Sequence, residues 1–472
     1  MKKVFLAFIL VIISHQLLQS QDGPDTWSVN FGINARIFAL AINPQNQNTM
    51  YLGSLDSGVY KTTNGGLNWV RSNNGMTYFK VQCLAIAPSN PNIIYAGTDS
   101  LGGWTVSGVY KSTDAGANWT LVSGDIYDTK GVQAIVVHPT NPDIVICGVF
   151  NAVAASAVGI WKSTNGGLNW IPSSTGVDNR QILSLAINPK NPNVIYAGSS
   201  LVMPGSTGPS KIYRSNDGGS NWTAITTGLP SGTTTGNPVR AMSISPIDTA
   251  RILAVLFVND TTGGIYLTTN GGQQWSKKWG IPNTTGTLPR SAAINPVNPN
   301  ELYVGIDQSA GTGSMSIWRS SNGGTTWADF SGGVLLSNYP IRALAFRTTG
   351  NLTLFAGGAS ASVVAGRGVF EYTFTAVGIL GTEVPVKFAL HQNYPNPFNP
   401  NTIIRYDIAE KSLTKLIVFD VLGREVIRLV DDIRDAGSYT VTFDGSGLSS
   451  GTYFCRLESG NFITDRRMIL IK

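Results

Sequence analysis

Seven times along the chain, a short run alternating between large apolar and small or polar residues leads through a Pro/Asn turn into a second apolar run. The clearest copy is Ile182-Leu183-Ser184-Leu185-Ala186-Ile187-Asn188-Pro189, then Asn191-Pro192-Asn193, then Val194-Ile195-Tyr196-Ala197-Gly198. Such a pattern predicts strand, turn, strand. After a loop of varying length comes a third strand such as Lys211-Ile212-Tyr213-Arg214, and a fourth starts at Trp222. Aligned on the closing Pro or its equivalent, the first strands place Ala39, Cys83, Ala134, Ser184, Ala241, Ser291 and Ala343 at one position, all of them small. Large apolar residues mostly stand one and three places later, as in Leu40 and Ile42 or Leu84 and Ile86. Innermost strands need one face kept small where several sheets converge on an axis. Four strands per unit of roughly fifty residues is the grammar of a propeller blade, so the pattern predicts an all-β chain with seven blades.

Between the third and fourth strands lies a recurring turn, most complete as Ser112-Thr113-Asp114-Ala115-Gly116-Ala117-Asn118-Trp119. Asn64, Asn165, Asp217, Asn270 and Asn322 take the place of Asp114 in the other copies, and Trp69, Trp170, Trp222, Trp275 and Trp327 that of Trp119. Asp or Asn accepts hydrogen bonds from backbone N–H groups ahead of it, and the Gly that follows supplies a positive φ without steric cost. The Trp offers a large apolar face and one N–H to satisfy. These residues resemble the Asp-box, or BNR, repeat of sialidase-like and sortilin-like propellers, which implies a scaffold hairpin at the rim, remote from any ligand site. The seventh unit lacks its own box, because Gly368-Val369-Phe370-Glu371 runs into Tyr372-Thr373-Phe374 and then a linker. A degraded box, Ser20-Gln21-Asp22-Gly23-Pro24-Asp25-Thr26-Trp27, stands instead at the start. Residues 21–33 are therefore expected to supply the outer strand of the seventh blade and to close the ring.

Ahead of that strand, Met1-Lys2-Lys3 followed by the apolar run Val4 to Ile13 reads as a secretory signal peptide, residues 1–20, too short to span a membrane. The propeller is expected over 21–376 and a linker over 377–386. Residues 387–472 form a different module, whose alternating runs Thr414 to Phe419, Tyr439 to Phe443 and Thr452 to Leu457 predict a small Ig-like β-sandwich. Its Asn393-Tyr394-Pro395-Asn396-Pro397-Phe398-Asn399-Pro400, Phe419-Asp420-Val421-Leu422-Gly423-Arg424-Glu425-Val426, Ala436-Gly437-Ser438-Tyr439, Phe443-Asp444-Gly445-Ser446 and Ser450-Gly451-Thr452-Tyr453-Phe454 closely resemble the type A sorting domain of the type IX secretion system of Bacteroidetes-like bacteria. The resemblance implies an address read by the secretion machinery at the outer membrane, with the cargo secreted or held at the cell surface.

Composition adds limits. Only 13% of residues are charged and 53 are Gly, which suits short strands and tight turns. Cys83, Cys147 and Cys455 stand at no metal-ligand spacing; Cys83 and Cys147 fall in apolar strand patterns, which reads as buried thiols, with a Cys83–Cys147 bridge as the alternative. From Lys387 onward 11 basic and 10 acidic residues nearly cancel, leaving 22 and 17 of the chain's 33 and 27 for the rest. So mild a basic excess does not point to nucleic acid.

Catalytic chemistry has little to work with. Of three histidines, His15 falls in the signal, His391 in the sorting module, and His138 at a strand end before Pro139, so neither a Ser/His/Asp triad nor a His-based metal site is suggested. No cofactor is implied. Ile94-Tyr95-Ala96-Gly97-Thr98-Asp99 resembles the segment carrying a catalytic Asp in xyloglucan-cleaving propellers, which makes Asp99 a catalytic candidate. Those enzymes set their second carboxylate on a second propeller, and hydrolysis needs both; Asp307, equivalent in another blade, suggests a seat that tolerates Asp for structural reasons. The preferred expectation is a non-enzymatic binding propeller, a role also filled by the photosystem II assembly factors that this repeat resembles; a glycoside hydrolase is the alternative. For the ligand face, each inner strand is entered by a basic residue, Arg36, Lys80, Lys130, Arg180, Arg240, Arg290 or Arg342. Such a ring at the channel mouth would bind an acidic glycan or an acidic protein surface. Ordinary solvation of strand ends, with Asp128 and Asp178 neutralising part of the charge, is the competing account.

Overall fold

The computed structural model describes residues 27–30, 33, 35–99, 107–123, 126, 130–151, 159–178, 181–200, 209–230, 237–257, 263–279, 287–308, 317–331, 340–358, 368–374, 378–379 and 387–472. The expected signal peptide lies outside them. Their regular structure is β, with no α-helix, and no described helix could cross a membrane. Period-two alternation has produced nine four-stranded sheets, every strand pair antiparallel.

Seven of these sheets lie between Trp27 and Thr373. Six use four consecutive strands, such as Ile37–Ile42, Met50–Ser54, Gly58–Thr62 and Val70–Arg71. The remaining sheet takes Ile341–Arg347, Thr353–Gly358 and Gly368–Thr373 and completes itself with Trp27–Asn30, Trp27 standing opposite Tyr372. First strands adjoin one another in chain order, and Ile341–Arg347 adjoins Ile37–Ile42, so they form a closed ring. This is a β-propeller architecture.

Close approach of neighbouring sheets explains the column of small residues. Ser184 stands opposite Gly198, and a Cβ on that glycine would come within 2.6 Å of Val239 Cγ1 on the next sheet. The small face therefore accommodates the β-branched residue of the adjoining first strand. Just before each small residue the ladder slips by one: between Ile37 and Ala39, Val81 and Cys83, Val132 and Ala134, and likewise in the other four. Such bulges disturb the local pairing of backbone groups, and in three cases the preceding sheet answers with a donor. Ser184 Oγ donates to the Val239 carbonyl at 2.9 Å, Ser291 Oγ to that of Ile341 at 2.9 Å, and Cys83 Sγ to that of Val132 at 3.5 Å. Replacing Ser291 by Ala is expected to cost about 1–3 kcal/mol, because a buried acceptor loses its donor. A lower urea midpoint with an unchanged m-value would register that loss.

The recurring turn is a hydrogen-bonded unit. Asp114 Oδ1 accepts from the Asn118 N–H and from Ser112 Oγ, both at 2.8 Å, while the Gly116 N–H donates to Ser112 Oγ at 2.8 Å. The Asn118 side chain and N–H, and then Ser112, hold the Asp114 carboxyl down to about 2. Ala115 adopts φ 55° where Gly65, Gly166, Gly218, Gly271 and Gly323 stand in the other copies, each with positive φ. In four copies the Trp also fastens its turn to the sheet before it. Trp119 is buried and its indole N–H donates to the Ser72 carbonyl at 2.7 Å, as Trp222 does to Ser173 at 2.8 Å. Tyr51 Oη and Lys61 Nζ both donate to the Ala115 carbonyl at 2.7 Å. Other basic and tyrosine side chains act in the same way: Arg214 and Tyr196 grip Gly271, and Lys162 grips Gly218.

The last two sheets enclose one core. Leu390, Ile404, Tyr406 and Phe443 face Leu416, Val418, Cys455, Leu457 and Met468, all buried. One boundary differs from the sequence expectation: Gly378–Ile379, placed in the linker, pairs with Tyr439 and Thr440 and adds a strand to this module. The bridge between Cys83 and Cys147 is not formed. All three cysteines are thiols, and burial pushes that of Cys83 up to about 12.

Candidate functional site

The bulges that seat the sheets against one another also build a site. Each bulge turns one residue of an inner strand away from the ladder: Phe38, Gln82, Gln133, Leu183, Arg240, Arg290 and Arg342. All seven line one cavity of about 490 Å³, together with Arg36, Leu55 and Asp99. A volume of this size falls in the range of small-ligand sites, about 300–1,000 Å³.

Order around the ring gives the cavity two unlike arcs. Arg240, Arg290, Arg342 and Arg36 come from four consecutive sheets and form a cationic arc; Gln82, Asp99 and Gln133, from the two sheets that follow, form a polar one. Aromatic rings brace the guanidiniums. Arg240 and Arg290 lie over Phe257 at 5.3 and 5.4 Å from its centroid, and Arg342 over Phe38 at 4.4 Å. Arg36 Nε pairs with Asp56 Oδ2 at 3.2 Å. Burial raises the Asp56 carboxyl, but hydrogen bonds from Ser54 and Arg36 outweigh it and hold the group below the usual range.

Asp99 is buried. Its N–H donates to the Lys80 carbonyl at 2.9 Å, and its Oδ2 accepts from Gln82 Nε2 at 2.8 Å. In other sheets the same seat holds Leu55, whose N–H meets the Arg36 carbonyl, and Phe257, whose N–H meets that of Pro238. Asp307 takes the matching register opposite Leu288. The seat is thus not specific for acid, and Asp99 is the carboxylate among the residues lining the cavity.

Of the seven basic residues singled out in the sequence, the structure brings Arg36, Arg240, Arg290 and Arg342 to this cavity. Lys80 does not line it and lies beside Tyr78, 5.9 Å from the ring centroid. Lys130 pairs with Asn151 through its backbone, and its side chain lies outside the described residues, as does Arg180. A single ring of seven therefore merges three places on the strand: Arg36 and Lys80 enter three residues before their small partners and Lys130 and Arg180 four, whereas Arg240, Arg290 and Arg342 come one residue before. What sequence reasoning missed is that bulge column. Its trace was present, because Gln82, Gln133 and the three arginines are long polar residues inside otherwise apolar strands.

Two further placements bear on chemistry. No group of three His, Cys, Asp or Glu that could hold a metal occurs among the described residues. His138 lines a separate cavity of about 100 Å³ with Lys162 and Asp217. Its Nδ1 accepts the N–H groups of Thr140 and Asn141 at 3.3 and 3.2 Å, the task that Asn43, Asn188 and Asn295 perform in other sheets. Burial, then Lys162, lowers its pKa. The unfolded chain therefore takes up this proton first as pH falls below about 6.5, and the folded state loses stability until His138 itself protonates. His138→Asn keeps the turn and should flatten this acid limb, as comparison of urea midpoints near pH 5 and pH 8 would register.

With the geometry in place, comparison with known proteins defines the class. Residues 41–253 match the family model described as a DUF6242 beta propeller domain, and residues 392–472 that of a secretion system C-terminal sorting domain. The chain is therefore a β-propeller protein bearing a C-terminal sorting domain, which supports a secreted or cell-surface location reached through type IX secretion and contact with that machinery. Among curated proteins, a xyloglucanase of a Paenibacillus species is 24% identical over 271 residues, 52% of this chain and 25% of that one. Another, from Hypocrea jecorina, is 25% identical over 282 residues, 52% of this chain and 31% of the other. This chain thus spans a third or less of the length of these relatives. Among solved structures, the GH74 xyloglucanase from Xanthomonas campestris superposes with a TM-score of 0.52 at 15% identity, over 81% of this chain and 60% of its own. PorZ, a surface component of the type IX secretion system of Porphyromonas gingivalis, gives 0.51 at 15% identity, over 90% and 58%. At such identity the likeness is one of fold.

Proposed function

We propose that this protein is an exported, non-enzymatic binding propeller that takes an acidic ligand at its axial mouth. Residues 1–20 act as the signal peptide, 21–376 form seven blades with Asp-box turns at the rim, and 387–472 form an Ig-like sandwich that serves as the address. The observation that carries the reading is the convergence of Arg36, Arg240, Arg290 and Arg342, from consecutive sheets, on one cavity with braced side chains. Like charges in a low-dielectric funnel reinforce each other's field and favour an anion, and guanidinium forks suit carboxylate, sulfate or phosphate. Changing Arg240, Arg290 and Arg342 together to Ala should weaken binding to an acidic partner found by glycan array or pull-down. Binding by the parent should fall as salt rises. Salt-insensitive binding that the triple variant retains would remove the mouth from consideration.

A second reading, a glycoside hydrolase, draws on the likeness to xyloglucanases together with the place of Asp99 in the same cavity. Hydrolysis requires an acid and a base or nucleophile about 5–10 Å apart. Turnover of a glycan that Asp99→Asn abolishes while the protein stays folded would establish this reading over the first.

A further inference from the structure

The two arcs of the axial cavity specify more than an anion. We infer that the ligand is a glycan carrying uronic acid residues, bound with a carboxylate on the cationic arc and its hydroxyls on the carboxamide arc. This rests on the axial mouth being the binding site. Arg240, Arg290 and Arg342 are gathered on one side, beside the Asp56-paired Arg36, where their forks can take a carboxylate by paired hydrogen bonds. Across from them, Gln82 and Gln133 each present a donor and an acceptor, the combination that a sugar hydroxyl satisfies. Gln82 is held in place by its bond to Asp99 at 2.8 Å. The buried Asp99 carboxylate disfavours a ligand that is anionic at both ends, since like charge close by is costly in a confined site. A lone sulfate or phosphate would engage the arginines and leave the amides opposite without a role. Phe38, Leu55 and Leu183 add the apolar surface against which a pyranose ring's C–H face packs.

Specificity on this scheme resides in the bulge column. These residues sit where the ladder slips, so they can vary with little cost to the sheets that carry them.

Calorimetric titration of the full chain with a trisaccharide of one terminal galacturonate and two neutral sugars tests the inference, beside its methyl ester, a neutral trisaccharide, hexaglutamate and inorganic sulfate. The uronate is expected to bind, while the methyl ester, the neutral sugar and sulfate bind at least about tenfold more weakly. Arg290→Ala should weaken the uronate about tenfold or more and Arg290→Lys less, because the lysine keeps the charge and loses the fork. Gln133→Glu, at a position outside the core, should also weaken it by placing a second carboxylate on the polar arc. Thermal unfolding of each variant confirms that it is folded. Absence of uronate binding, or equal binding of the methyl ester, overturns the inference. Hexaglutamate binding as well as the uronate, with the same loss in Arg290→Ala, overturns the glycan assignment while the mouth reading survives. Uronate binding that is untouched by Arg290→Ala and Gln133→Glu defeats both.

Discussion

A chain lacking residues 21–33 is expected to lose cooperative thermal unfolding or to aggregate. The strand of that segment, Trp27–Asn30, pairs along its whole length with Gly368–Thr373 and so completes a sheet that the rest of the chain leaves one strand short. Trp27 is buried, with its indole N–H donating to the Phe330 carbonyl at 2.6 Å. Its ring packs against Phe330 and Tyr372, with centroids at 5.9 and 5.4 Å. Removing the strand exposes a bare edge on that sheet and unpacks this cluster, and unpaired edges recruit other chains. Trp27→Ala alone should cost about 3–5 kcal/mol, the range for deleting a buried aromatic side chain. Calorimetry and size-exclusion chromatography read both effects. A truncated chain that melts like its parent would show that the ring does not depend on this strand.

Removing residues 387–472 is expected to leave a folded propeller stranded in the periplasm, with surface delivery lost. Among the described residues the core of this module runs from Leu390 to Leu470 and includes none from the seven sheets, so their folding is expected not to depend on it. Gly378–Ile379 loses its partner strand but belongs to none of those sheets. Fractionation with immunodetection, alongside the melting temperature of the retained protein, checks the two halves of this expectation separately. Normal delivery of the truncated chain would show that the module is not the address.

Repetition made most of the scaffold legible. Four alternating runs per unit, a turn with Asp or Asn before Gly, and a Trp every 50 to 53 residues specify sheet, turn and period locally. The strand borrowed from the N-terminus was readable for the same reason, since the last unit visibly lacks what the first residues supply. The small column was readable too, although its immediate cause is contact with the next sheet, as Gly198 beside Val239 shows.

The site was legible only in part. Arg240, Arg290 and Arg342 could be named from sequence, yet Arg36 and Lys80, equally basic and at a matching distance from the small residue, end in different surroundings: one lines the cavity and the other packs on Tyr78. Both strands carry the same bulge, so what separates these two is the neighbour each meets, Asp56 for Arg36 and Tyr78 for Lys80, whereas the bulge is what brings Arg240, Arg290 and Arg342 to the cavity. A bulge changes which way a side chain points without changing composition or period, so no count along the chain reveals it. Local patterning, which needs only neighbours in sequence, determined the strands, the turns, the repeat and the sorting module. Tertiary structure decided which side chains meet at the axis, because that depends on seven sheets closing round it and on a one-residue slip repeated in each.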